Sequence, residues 1–247
     1  MQLTLKNVKN ARTFLYLLVR RIAFKKKLMK LNTNSNQQDL ESIFIYFDKL
    51  NDDLKKIATE ILKIETDKNL LSKPSMFIFS IINRAIALNK GFKSLAELNN
   101  YVAAINFLRL QADNCMRLFA MTLIEDRGKF FDSVENGEHI RNMKDSENRK
   151  MTDKLLSEEL DKLFPGFRTL YENTSGLIHF SKEHINQNHQ TTVNNNSISG
   201  EVLFNGEHFF SIHEKVDYSY NMFLVSTELY KLIQGYKLHI NEYSKNQ

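Results

Sequence analysis

Glycine and proline, the residues that interrupt helices most strongly, are scarce in this chain, with eight glycines and two prolines in 247 residues. Proline removes a backbone donor and clashes with the preceding turn, while glycine loses the most freedom when ordered. A chain short of both runs into long helices and has few places for tight turns. The apolar spacing agrees with that constraint. Val8, Ala11, Leu15, Leu18 and Ile22 recur every three or four residues and predict helix over 4–31. Leu40, Ile43, Phe47, Leu50, Leu54, Ile57, Ile61 and Ile64 predict a helix over about 39–67, capped by Asp39. Pro74 suits the first turn of a third helix, about 74–89, which Gly91 is expected to end. A helix over 94–125 has little purely polar surface and is expected at the centre.

The rest of the chain is more broken. Residues 125–150 are polar and charged and read as a mobile connection with room for a short helix. Thr152 caps a helix over about 153–164, Pro165-Gly166 makes a turn, and helical spacing returns over 167–185. A polar loop follows at His189 to Asn196. Val202-Leu203-Phe204, Asn205-Gly206 and His208-Phe209-Phe210-Ser211-Ile212 then predict a β-hairpin over about 199–213, because Asn-Gly accepts the positive φ of a type I′ turn. A last helix is expected over about 215–240. The fold class is therefore all-α, a bundle of about six or seven helices with a small β-hairpin inserted before the C-terminal helix. It divides into a basic N-terminal helical segment, 1–37, and a bundle domain, 38–247.

Hydrophobic residues make up 42% of the chain and charged ones 26%, enough apolar material for a sizeable core. The lone cysteine, Cys115, allows no intrachain disulfide and no CxxC metal site, and it reads as a small buried hydrophobe. Phe14 to Val19 is far below the roughly 20 apolar residues a spanning helix needs. It also runs into Arg20-Arg21 with no small-residue cleavage site behind it, so neither membrane integration nor a signal peptide is expected and the predicted location is cytoplasmic. The net charge of +5 is concentrated at one end: residues 1–30 hold nine Lys or Arg and no Asp or Glu, leaving the remainder at −4. Arg20, Arg21, Lys25, Lys26 and Lys27, interleaved with apolar side chains, are candidate nucleic-acid contacts. The plainer reading is a solvated face of a packed helix.

Two stripes place polar groups on helices that are otherwise apolar. Arg109, Asp113 and Arg117 stand four apart, so they stack along one side and Asp113 can bridge both arginines. Such a row is either a structural ion-pair ladder or a pair of guanidinium groups facing an anion. Tyr171, Ser175 and His179 repeat the spacing, with Asn173 and His184 nearby and Gly176 allowing close approach. His179 is either a core histidine satisfied by its neighbours or an acid, base or ligand anchor.

The run Tyr171-Glu-Asn-Thr-Ser-Gly-Leu-Ile-His179-Phe-Ser181, preceded by Leu108-Arg109-Leu-Gln-Ala-Asp113-Asn-Cys-Met-Arg117-Leu, resembles a set of bacterial all-helical proteins. It is also similar to the broader HEPN-type helical bundles of toxin and phage-defence systems. The resemblance covers about residues 75–185. It implies RNA or stress and phage-defence biology and metal-independent ribonuclease chemistry. His179 would then be general acid or base, Arg109 or Arg117 would stabilise the charged phosphorane, and Tyr171 and Ser175 would position the imidazole. Pairing of two copies as a homodimer is implied as well. The family motif places its histidine after a gap of four to six residues from an arginine. This chain has Thr174, Asn173 and Glu172 there, so only His179 carries over by motif. The alternative is a non-catalytic binding or scaffold module for nucleic acid or a small anionic ligand.

Other chemistries have less to stand on. There is no Gly-rich phosphate loop and no HExxH. His179, His184 and His189 have only Glu183 as a neighbouring carboxylate, so no metal and no cofactor is expected. Ser175 and His179 lack the strand–turn–helix setting of a hydrolase nucleophile.

Overall fold

The computed structural model describes residues 37–67, 71–178, 189–194, 197–202 and 210–245. Among the described residues seven α-helices build an all-helical body: α1 (Gln37–Thr66), α2 (Lys73–Glu97), α3 (Tyr101–Thr122), α4 (Arg127–Glu135), α5 (Asp153–Leu163), α6 (Phe167–Ile178) and α7 (Ile212–Lys245). The N-terminal segment lies outside the described residues.

Local chemistry explains most of the helix ends. Ser72 caps α2 by accepting the Ser75 N–H, with Pro74 in the first turn where its missing donor is no loss. Asn100, Asp126 and Thr152 cap α3, α4 and α5 by accepting from Ala103, Lys129 and Leu155. Ser211 and Glu214 form a reciprocal capping box at the start of α7, Ser211 Oγ accepting the Glu214 N–H at 3.2 Å and Glu214 accepting the Ser211 N–H at 2.8 Å. Gly166, at φ +96°, makes the turn after Pro165, and Asp161 accepts the N–H groups of Gly166 and Arg168 as α6 begins.

Several expectations need correction. Asp39 lies inside the first turn of α1 and does not cap it. Gly91 does not end α2, which continues to Glu97. A Cβ at Gly91 would stand 3.2 Å from the Phe107 ring, so the glycine lets α3 press close. Leu95 and Leu98 consequently belong to the end of α2, and the break falls at Asn99, whose φ of 61° turns the chain before Asn100 caps α3. The polar stretch 125–150 contains α4, a 3-10 turn at Ile140–Asn142 and an ordered loop. In that loop the buried Asp145 carboxylate accepts the backbone N–H groups of Glu147 and Arg149 and pairs with the Arg149 guanidinium.

The hairpin expected over 199–213 is also displaced. Ser197–Val202 pairs antiparallel with the preceding His189–Asn194, Asn194 facing Ser197 and His189 facing Val202. The β-branched run Thr191-Thr192-Val193, read as loop, supplies the partner strand. Ile212 already belongs to α7, because the Ser211–Glu214 box starts a helix there. The Asn205-Gly206 pair lies outside the described residues.

α2 and α7 each pack against both α1 and α3, giving the central bundle. α5 and α6 lie on α3, and α4 lies on α2, where Phe130 meets Phe77 edge to face. Phe47, Leu54, Ile61, Ile78, Leu108, Met121, Leu229 and Ile233 form the dry interior. Cys115 is fully buried among them, its Sγ 3.5 Å from the Val225 carbonyl, and burial pushes its thiol pKa up. No helix among the described residues is long and apolar enough to cross a membrane.

Candidate functional site

The geometry divides the polar residues into an ionic rim and a buried amide ladder. The rim begins on α3. Asp113 and Arg117, one turn apart, pair at 2.7 Å. Asp113 does not form a second ion pair with Arg109. Its other oxygen faces Arg84 of α2 at 3.4 Å. Arg117 also reaches Asp153, the first residue of α5, at 3.0 Å. Burial works to lower the Arg117 pKa, but the two carboxylates outweigh it and hold the guanidinium firmly charged.

Arg109 turns to α6 instead. Its guanidinium carbon stands 3.1 Å from the centroid of the Tyr171 ring, and Nη1 donates to the Tyr171 carbonyl at 2.7 Å. Burial lowers its pKa, and it makes no ion pair among the described residues. Tyr171 completes the rim by donating its hydroxyl to Asp153 at 3.0 Å. Burial raises the phenol to about 12, with Asp153 adding to the effect and Arg109 opposing it. The rim thus runs Arg84, Asp113, Arg117, Asp153, Tyr171, Arg109 across four helices.

Of the other candidates, Asn173 is exposed on α6. Ser175 lies on the same helix, its side chain outside the described residues. His179, His184, Arg20, Arg21, Lys25, Lys26 and Lys27 are outside them altogether. The structure therefore brings Arg109, Asp113, Arg117 and Tyr171 to one seam. Among the described residues, no group of three or more His, Cys, Asp or Glu side chains could hold a metal ion.

The ladder went unnoticed in the sequence. Asn89 of α2 donates to Asn51 of α1 at 2.9 Å, and its carbonyl accepts from Gln111 of α3 at 3.2 Å and from Ser226 of α7 at 2.6 Å. Gln111 also donates to Ser226, at 3.0 Å, and accepts from Asn114 at 2.9 Å. Asn114 accepts from Arg84, joining ladder to rim. Asn89, Gln111, Asn114 and Ser226 are fully buried. Their signal was available: each sits where an apolar stripe continues, as in Leu88-Asn89-Phe92 and Leu108-Gln111-Cys115. Compared with protein-family models, curated proteins and solved structures, the chain matches none.

Proposed function

We propose that this chain is a HEPN-like helical bundle acting on RNA in a cytoplasmic setting, with Arg109 and His179 meeting the scissile phosphate. The observation that supports this reading best is the contact of Arg109 with Tyr171. It sets the guanidinium against the helix whose sequence reaches His179 after two further turns at the Tyr171–Ser175–His179 spacing. In the proposed reaction the ribose 2′-hydroxyl gives its proton to His179 and attacks phosphorus, the bond from phosphorus to the 5′-oxygen breaks to leave a 2′,3′-cyclic phosphate, and the departing 5′-oxygen takes a proton from water. Arg109 pairs with the non-bridging oxygens as negative charge builds on them. Arg117, held by Asp113 and Asp153, fixes α5 on α3 and so acts as a positioning residue in this scheme.

The test is cleavage of several RNAs in EDTA by purified protein. His179→Ala and Arg109→Ala are expected to lose about 100-fold or more, the scale of a removed general acid or charge clamp. No cleavage of any RNA, with unchanged thermal stability of both variants, removes the catalytic reading.

The charge count of the rim supports a second, non-catalytic reading. Three guanidinium groups (Arg84, Arg109, Arg117) face two carboxylates (Asp113, Asp153) there, a surplus of a single positive charge. That suits a small anionic ligand better than a polyanion, and leaves RNA or other nucleic acid to Arg20, Arg21, Lys25, Lys26 and Lys27. Neutralising Lys25, Lys26 and Lys27 should then weaken nucleic-acid binding and flatten its salt dependence. Homodimerisation belongs to the catalytic reading and is checked by light scattering.

A further inference from the structure

A cavity of about 300 Å³ opens between the start of α1, the end of α2 and the first residues of α3 and α7. Leu40, Phe44 and Tyr101 give it an apolar floor, and Glu41, Glu97 and Lys215 stand around it. The two most exposed large apolar side chains among the described residues adjoin it. Leu98, 77% exposed, lies in the chain between the lining residues Glu97 and Asn99. Ile45, 69% exposed, follows Glu41 by one turn of α1. Apolar side chains left in water beside a pocket mark a surface that something covers.

Charge selects what that is. The Glu41 carboxylate makes neither hydrogen bond nor ion pair among the described residues. Glu97 lies 3.8 Å from Lys93, a cation that Asp48 already holds at 2.7 Å. Glu41, Asp48 and Glu97 thus outnumber Lys93 and Lys215, and the surface suits a basic segment with apolar side chains. This chain carries one. Residues 1–30 hold nine Lys or Arg and no Asp or Glu, against −4 for the remainder. Phe24, Leu28 and Leu31 recur there at helical spacing around Lys25, Lys26 and Lys27. Leu31 precedes Gln37, itself in the cavity wall, by a length of chain that spans at most about 20 Å. The residues between, Asn32-Thr-Asn-Ser-Asn36, favour turns and let the chain reverse onto the body.

We propose that this cavity, with the exposed Ile45 and Leu98 beside it, is the docking site of the chain's own segment 24–31. Phe24, Leu28 and Leu31 cover the apolar surface, and the lysines between them face Glu41 and Glu97. The site shares no residue with the rim, and the outcome for RNA cleavage does not bear on it.

The chain has no tryptophan, so a single one reports its own surroundings. In the full chain, Leu98→Trp is expected to emit at the shorter wavelength of a covered indole, whatever the protein concentration. Adding Leu28→Ser with Leu31→Ser, which change only the segment, should move the emission to that of an indole in water. Ile45→Trp takes the place of Leu98→Trp if that variant does not fold. Leu238→Trp, near the far end of α7, should emit alike with and without the serine changes. In the chain without tryptophan, trypsin cleavage after Lys25, Lys26 and Lys27 should run about tenfold faster or more with the two serines, because cleavage follows the undocked population. Glu41→Lys with Glu97→Lys should speed it less, since the apolar contacts remain. Emission unchanged by the serine variant, or equal cleavage rates with and without it, overturns the proposal. A shift to shorter wavelength that appears only as protein concentration rises assigns the surface to a second copy and overturns it too.

Discussion

The amide ladder and the ionic rim adjoin each other on α3, yet they solve the problem of polar groups in an apolar bundle in opposite ways. The ladder is neutral, and its members are buried outright because the amide donors find amide or hydroxyl acceptors, from Asn89 and Gln111 on other helices and from Asn114 on Gln111 of its own. The rim is charged and stays near the surface: the Arg117 side chain is 24% exposed and that of Arg84 42%. Burying an unpaired amide costs a hydrogen bond, whereas burying an ion costs far more, so charges remain where water still reaches them. The inner set therefore specifies how α1, α2, α3 and α7 register against one another. Only the rim has charge left over for a ligand, at Arg109.

That contrast can be broken or sharpened by measurement. The largest effect is expected from Asn89→Leu, which takes the donor from Asn51 and one acceptor each from Gln111 and Ser226, both of which keep another partner. Urea denaturation should show a loss of about 3 kcal/mol, about 1 kcal/mol for each of the three lost hydrogen bonds. Removing both rim carboxylates, Asp113→Ala with Asp153→Ala, should cost about 2 kcal/mol, less than a fully buried pair because Arg117 retains access to water. If the rim double variant proves the more damaging, the ladder is not the specifying element.

A smaller effect is expected from Tyr171→Phe, which keeps the ring under Arg109 and removes the bond to Asp153, costing about 1 kcal/mol at neutral pH. The same variant tests the raised phenol. Its pKa of about 12 in the folded protein, against about 10 unfolded, means that the folded state holds the proton more tightly. The associated stability is complete below pH 10 and is lost as pH rises towards 12. Tyr171→Phe should lose less stability than the wild type over that interval, and parallel curves would show that Tyr171 titrates normally. The smallest effect belongs to an exposed pair of neither set. Asp52→Asn, which breaks the Lys55 contact, should change stability by less than about 0.5 kcal/mol.

The long helices were legible because periodicity is local. The α1 stripe, the Thr152 cap and the Pro165-Gly166 turn appear where the sequence placed them. The failures came where a local signal depended on a distant neighbour. Gly91 looks like a terminator until Phe107 is seen lying across it. Asn205-Gly206 looks like the hairpin turn, although Val202 pairs back to His189 and the capping box turns Ile212 into helix. The rim was half readable: i, i+4 spacing joins Asp113 to Arg117, but nothing in it announces Arg84, Asp153 or the turn of Arg109 away to Tyr171.

The sequence by itself determined the helical class, because scarce glycine and proline with apolar residues every third or fourth position leave few other ways to satisfy the backbone. Tertiary structure alone decided which polar side chains meet. Hydrogen bonds and ion pairs act over a few ångströms, and Asn89, Gln111, Arg117 and Arg109 each reach a partner on another helix, 22 to 137 residues away in the chain. Their contacts exist only once the helices have packed.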